Sequence, residues 1–246
     1  MQPPRPIVPM NWAEKFFTEG YLDIFQALGK FDHTQDEAIA ITQLLRLPEG
    51  SHLLDIPCGF GRFSRALFNA KFKVTAVDSS DYLLSIARSE NPGPLYLRGD
   101  MRDPPPGPYD AILNLWTSFG YFETPAEDHR SLAAWFSELK PGGVFIMEIS
   151  DRERALSENP SLNSTTYKTR TIAGVTEDAW IDWDASEAVI RYSFLDKILV
   201  GKTRIYSRQQ LISMIQEVGF SSYECFGGFD KRDKRPCDRL VIRAQK

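Results

Sequence analysis

The stretch His52-Leu-Leu-Asp55-Ile-Pro57-Cys58-Gly59-Phe60-Gly61-Arg62-Phe63-Ser64 decides the fold. A short apolar run ends in an acid, a Gly-x-Gly turn follows, and residues 63–70 read as a helix. A strand that passes through a glycine turn into a helix is how a parallel sheet builds a nucleotide-binding crevice. The glycines let the backbone turn sharply and approach a ligand, and the helix N-terminus offers unpaired N–H donors.

The alternation continues downstream. Residues 73–77 form a second strand ending at Asp78, and Ser79-Ser80 caps the helix that follows. A short strand over 95–97 ends at Gly99-Asp100, and 111–115 is a near-continuous apolar run, the mark of a buried parallel strand. A helix over 131–139 and a strand over 144–148 complete the repetition, which predicts a doubly wound, Rossmann-like α/β sheet. Upstream, residues 11–30 are aromatic-rich at helical spacing, and they either pack as a layer on the sheet or cap its crevice. Thr34-x-x-Glu37 predicts a capping box for the next helix.

Between 165 and 204 the period changes to two. Strands over 165–172, 178–184, 188–195 and 198–205 are expected, forming an antiparallel insert. The chain returns to α/β with a second capping box, Ser207-x-x-Gln210, a helix stopped by Gly219, and closing strands over 221–226 and 239–244. The expected organisation is one domain over 1–246. It has an N-terminal helical cap (1–33), a mostly parallel core (36–150 and 205–246) whose last strand runs antiparallel, and a β insert (160–204) serving as a substrate lid.

With 42% hydrophobic and 25% charged residues, composition is that of a soluble globular protein, and the net charge of −4 counts against a nucleic-acid partner. Cys58, Cys225 and Cys237 make no CxxC pair, which suits a reducing, cytoplasmic compartment. No run approaches ~18 apolar residues, so no membrane span is expected, and the first residues lack the apolar core of a signal peptide. His33, His52 and His129 show no metal-ligand spacing, so no metal is expected.

The sign of one charge narrows the ligand. Gly59, Gly61 and Ser64 satisfy a dinucleotide fingerprint only with a serine third, and Asp55 would repel a pyrophosphate. A carboxylate there suits an ammonium group or an ordered water. The stretch resembles motif I of class I S-adenosylmethionine-dependent methyltransferases of the small-molecule type. Four further pieces stand in that family's order: Val74-Thr-Ala-Val-Asp78, Gly99-Asp100-Met101, Tyr109-Asp-Ala-Ile-Leu-Asn114-Leu115 and Leu139-Lys-Pro-Gly-Gly143. Pro57 stands where the family usually has glycine.

The resemblance implies S-adenosyl-L-methionine as cofactor and S-adenosyl-L-homocysteine as product. It implies that Asp55, with the backbone at Pro57, Gly59 and Gly61, holds the methionine end. Asp78 accepts the ribose hydroxyls, Asp100 and Met101 meet the adenine, and Asn114 and Leu115 lie beside the methionine. The Asn-Leu-Trp-Thr that ends strand four is not the Asn/Asp-Pro-Pro-Tyr/Phe signature of nucleobase methylation. Thr117-Ser-Phe-Gly-Tyr121-Phe122 is similar to the acceptor loop of amino-sugar N-methyltransferases, with Tyr121 in the place of a histidine. A Tyr121 hydroxyl can orient an acceptor, or act as a base if its pKa falls from ~10. His129 is a further catalytic candidate, although at a helix start it reads more simply as solvated. Trp116, Tyr121, Trp180, Trp183, Tyr192 and Tyr206 are the candidates for the acceptor pocket, and Arg170, Arg191 and Arg204 for meeting a carboxylate or phosphate on the acceptor.

The implied reaction is in-line methyl transfer to a nitrogen or oxygen of a small molecule, driven by alignment and desolvation. A nicotinamide-dependent oxidoreductase and a non-catalytic S-adenosylmethionine-binding protein are the alternatives. A monomer or homodimer is expected.

Overall fold

The structure is a computed structural model, and it describes residues 3–158 and 164–246. Two short helices, α1 (Trp12–Phe16) and α2 (Glu19–Ala27), and a longer α3 (Thr34–Leu45) precede the first strand. The core then runs β1 (His52–Asp55), α4 (Arg62–Asn69), β2 (Lys73–Asp78), α5 (Asp81–Glu90), β3 (Leu95–Arg98), β4 (Tyr109–Asn114), α6 (Pro125–Glu138) and β5 (Leu139–Ile149). After α7 (Arg152–Glu158) come β6 (Thr165–Ile172), β7 (Val175–Asp182), β8 (Glu187–Phe194) and β9 (Lys197–Arg204). The chain closes with α8 (Arg208–Val218), β10 (Ser222–Phe226) and β11 (Leu240–Gln245).

The core sheet has the order β10-β11-β5-β4-β1-β2-β3. Neighbours from β3 to β5 pair in parallel, whereas β11 pairs antiparallel with both β5 and β10. This is the doubly wound, mostly parallel sheet with an antiparallel last strand that the strand–helix alternation predicts. Chain order reverses between β1 and β4, and in such sheets the crevice at the strands' carboxyl ends opens there. Leu53, Leu54, Ala111, Ile112 and Leu113 of these two central strands are fully buried, because helices cover both faces. Leu53 and Leu113 pack with α3, α4 and α5, while Leu54 and Ile112 pack with α6 and α8.

β6 to β9 form a separate four-stranded antiparallel meander, within a residue or so of the expected strands except that β7 spans Val175–Asp182 rather than 178–184. The expected start of the insert at 160 lies outside the described residues. α1 lies flat on β9 where Gly201 leaves room: a Cβ there would stand 2.9 Å from the Trp12 ring. Trp12, Phe16 and Ile24 of the first two helices share a core with Val175 and Leu199.

Local signals decide some helix ends, and tertiary contacts decide others. Ser207 and Gln210 form the expected capping box, and Gly219 ends α8 in the left-handed region with φ 115°. At α3 the box does not form. Thr34 is already helical, its hydroxyl donates to the Phe31 carbonyl, and Glu37 turns to Arg62. The helix expected over 131–139 starts earlier, at Pro125, because Thr124 and Glu127 make a capping box with proline at the first turn. Lys234, in the loop before β11, is buried against Asp151 at 3.2 Å.

Candidate active site

A cavity of about 1100 Å³ opens at the carboxyl ends of β1, β2 and β4. The core forms its floor, and α1, α2 and the pocket-facing sides of β6 to β9 form its roof.

The glycine turn is pinned from both sides. The Ile56 N–H donates to the Leu113 carbonyl of β4 at 3.0 Å and the Cys58 N–H to the Val77 carbonyl of β2 at 2.8 Å. Gly59 follows with φ 56°, and a Cβ added there would meet nothing within 4 Å, so its bare backbone faces open cavity. Gly61 differs. It caps α4 at φ 81°, a Cβ there would clash with the Tyr96 ring, and it does not line the cavity. Its glycine serves the turn and the packing behind it, whereas the resemblance implies a place beside the ligand.

Asp78 ends β2 with one carboxylate oxygen accepting from the Gly59 N–H and the other from the Ser80 N–H, each at 2.8 Å. Each oxygen keeps a lone pair, and the residue lines the cavity. Burial pushes its pKa up, against those backbone bonds. Asp55 is buried deeper at the end of β1, where it accepts a short hydrogen bond from the Ser64 hydroxyl. Burial pushes its pKa up to about 7, against the Ser64 bond and the Arg62 charge.

That shift has a signed consequence. Unfolded, Asp55 ionises near its ordinary 3.8; folded, it keeps its proton up to about 7. Its contribution to stability is therefore fully present below pH 4 and lost as the pH rises through 7. Asp55→Asn, which keeps the oxygen facing Ser64, should be more stable than the native protein at pH 8. The gap should close as the pH falls from 7 to 4. Urea unfolding across that range checks it, and a pH-independent gap would contradict the assignment.

Asp100 and Met101 line the same cavity past β3. Arg102 engages both Asp100 oxygens, with Nη2 at 2.6 Å from one and Nε at 3.0 Å from the other, and holds the carboxyl below its usual range. The same guanidinium reaches Glu127 at 2.7 Å. Asn114 is fully buried beneath the floor. It donates to the Ile56 carbonyl at 2.8 Å and supports the glycine turn from beneath the cavity wall, whereas the resemblance implies a place beside the ligand. Leu115 does line it.

At the end of β4 the backbone is strained. Trp116 (φ 62°) and Thr117 (φ 56°) both take the left-handed conformation, which costs a non-glycine residue on the order of 1–3 kcal/mol. Glu148 on β5 compensates, accepting from the Trp116 N–H at 2.8 Å through its side chain and from the Thr117 N–H at 2.9 Å through its carbonyl. Arg239 holds the Glu148 carboxylate at 2.9 Å and lies 5.4 Å from the Trp116 ring. Neither Glu148 nor Arg239 stood out in the sequence. They are 91 residues apart, and an acid in an apolar strand was the sole hint.

Trp116, Tyr121 and Tyr192 line the cavity. Tyr121 packs edge-on to Trp12 with ring centroids 5.2 Å apart, and Tyr192 lies 5.2 Å from Phe25. Burial pushes both hydroxyls well above their ordinary range, so Tyr121 keeps its proton and can orient a partner but does not supply a phenolate. Phe16, Phe17, Tyr21 and Phe25 complete an aromatic roof.

Three pocket candidates, the catalytic candidate His129 and two arginines belong elsewhere. In β7, Glu177, Ala179 and Ile181 face the cavity, so period-two alternation turns Trp180 to the other side, where its indole donates to the Pro3 carbonyl at 3.2 Å. Trp183 lies beyond the strand and donates to Thr166 at 2.8 Å. Tyr206 donates to the buried Asp128 at 2.7 Å, and Arg204 joins the same carboxylate. Arg191 pairs with Asp178 at 2.7 Å on the Trp180 side. His129 sits on α6, 3.7 Å from Glu217 and outside the cavity. Arg170 alone of the three arginines lines it.

Comparison with known proteins agrees with this geometry. A family model described as a methyltransferase domain matches residues 53–143. A curated relative, dTDP-3-amino-3,4,6-trideoxy-alpha-D-glucopyranose N,N-dimethyltransferase of Streptomyces venezuelae, is 35% identical over 130 residues. That alignment covers 51% of this chain and 54% of the relative, so the chain matches about half the relative's length. The CcbJ methyltransferase of Streptomyces caelestis superposes with a TM-score of 0.73 at 16% identity, over 87% of this chain and 89% of that one. An S-adenosylmethionine-dependent methyltransferase of Clostridium acetobutylicum gives 0.71 at 18% identity, over 92% and 97%. Residues 53–143 thus match a methyltransferase domain, and the chain has the fold of these solved S-adenosylmethionine-dependent methyltransferases.

Proposed function

We propose that this protein methylates a small molecule with S-adenosylmethionine as donor, and that the accepting atom is an amine nitrogen. The observation that carries the reading is Asp78, a carboxylate held open by two backbone N–H groups beside the bare Gly59 backbone at the β1/β4 switch point. When bound, S-adenosylmethionine supplies a methyl group already activated on a sulfonium.

The residues present fit that group. Asp78 accepts the paired ribose hydroxyls with its free lone pairs. Asp55 stands at the glycine turn, where an ammonium would draw its proton off and stabilise the carboxylate. Met101 packs on the adenine, and Asp100 meets its exocyclic amine with the oxygen capacity that Arg102 leaves. Trp116, Tyr121, Tyr192 and the roof aromatics exclude water from the acceptor side, and the insert serves as the lid. A neutral amine brings its own lone pair, so it needs alignment and desolvation more than a base. The protonated Tyr121 suits that demand, and so does the amino-sugar acceptor in the relative's name.

Calorimetric titration with S-adenosylhomocysteine and, separately, with NADH tests the reading. S-adenosylhomocysteine should bind and NADH should not; binding of NADH alone would overturn it.

A further inference from the structure

We propose that the methyl acceptor carries an anionic group, a carboxylate or a phosphate, held between Lys30, Arg170 and Arg239. This rests on the methyltransferase reading and names the class of its acceptor.

Lys30 follows α2, Arg154 lies on α7, Lys168 and Arg170 lie on β6, and Arg239 precedes β11, yet all five line one cavity. Three carboxylates answer them among the described residues. Glu148 holds Arg239 at 2.9 Å, Glu177 holds Arg170 at 2.9 Å, and Glu158 holds Arg154 at 3.0 Å. Lys168 donates to the Glu158 carbonyl at 2.9 Å, a partner without net charge. Lys30 makes no ion pair among the described residues, and burial first, then Arg239, Arg170 and Arg154, depress its pKa. Five cations against three carboxylates leave a positive excess on this side of the chamber, away from Asp55, Asp78 and Asp100. Like charges gathered on one wall of a partly enclosed chamber disfavour one another, and an anion placed among them relieves that.

Arg170 shows where the anion goes. Its Nη2 reaches both Glu177 oxygens at 2.9 and 3.0 Å, but its Nε is buried with no partner. Buried donors are normally satisfied, so an orphaned guanidinium nitrogen on a ligand cavity marks a missing acceptor atom. The position also fits the chemistry. Arg239 links the two ends of the chamber, since it lies beside Trp116 on the floor and its charge is felt by Lys30 and Tyr192 under the roof. An acceptor anchored by its anion at the β6 side would present its amine toward the Asp55 turn.

The test uses the intact protein saturated with S-adenosylhomocysteine and titrated calorimetrically with pyrophosphate, inorganic phosphate or succinate at constant ionic strength. At least one anion should bind, and preference for phosphates or for the dicarboxylate identifies the source. Arg170→Gln and Lys30→Gln should each weaken that binding by roughly tenfold, the loss of one charge-assisted contact, while leaving S-adenosylhomocysteine affinity unchanged. Arg170→Lys should restore part of it, and Arg191→Gln, on the opposite face of the insert, should bind like the native protein. Absence of anion binding would overturn the proposal. So would competition between the anions and S-adenosylhomocysteine, which would assign the cations to the cofactor's own carboxylate. If S-adenosylhomocysteine itself fails to bind, the methyltransferase reading fails, and the same anion titration on the protein alone still decides the site.

Discussion

Asp78→Ala should lower the affinity for S-adenosylhomocysteine by roughly tenfold to a hundredfold, the loss of about 1.5–3 kcal/mol expected when a charged hydrogen-bonding partner is removed. The carboxylate has two tasks, and the substitution removes both. It accepts from the Gly59 and Ser80 N–H groups at 2.8 Å, holding the glycine turn and the start of α5 in register. Its free lone pairs are the acceptors for the ribose diol. The folded state should lose little, because burial already disfavours the Asp78 charge and its removal relieves Asp55 of a neighbouring anion. Calorimetry and thermal unfolding on the same preparation separate the two effects. Asp78→Asn, which keeps one acceptor oxygen, should fall between. A well-folded Asp78→Ala protein with native affinity would reduce Asp78 to a helix cap.

Trp135→Ala should cost about 3–5 kcal/mol of unfolding free energy. The ring is fully buried, 6.0 Å from Phe119 and 5.7 Å from Phe145, so truncation opens a cavity that these neighbours cannot close. The indole N–H also donates to the Met101 carbonyl at 2.8 Å, which ties α6 to the loop expected to meet adenine. Trp135→Phe keeps most of the volume and loses that bond, so it should cost about 1 kcal/mol. Both variants should weaken S-adenosylhomocysteine binding through the loosened loop. Urea denaturation gives the comparison, and equal costs for the two would show that packing is not what Trp135 supplies.

The parts of the site that could be read from the sequence are those the chain builds locally. A strand, its turn and the next helix are adjacent in sequence, so the places of Asp55, Gly59 and Asp78 at strand ends and turn could be read from the local pattern, their roles being what the resemblance implies. The same holds for Ser207 and Gln210, three residues apart at the start of α8. Thr34 and Glu37 have equivalent spacing and form no box, because Arg62 on another helix offers both a better partner. Local chemistry proposes a cap, and a distant guanidinium decides it.

What the sequence determined by itself is the alternation of strand and helix, the strand period of the insert, and the acids at the ends of β1 and β2. Those follow from side-chain period and backbone preference within a few residues. Tertiary structure decided which face of each insert strand meets the cavity, and so placed Tyr192 and Arg170 inside and Trp180 and Arg191 outside. It also brought Arg239 to Glu148 beneath the left-handed turn at Trp116, and Lys30 among the arginines. A period of two says that neighbours face opposite ways but not which way is in. Charge pairing across 91 residues exists only once the sheet has closed.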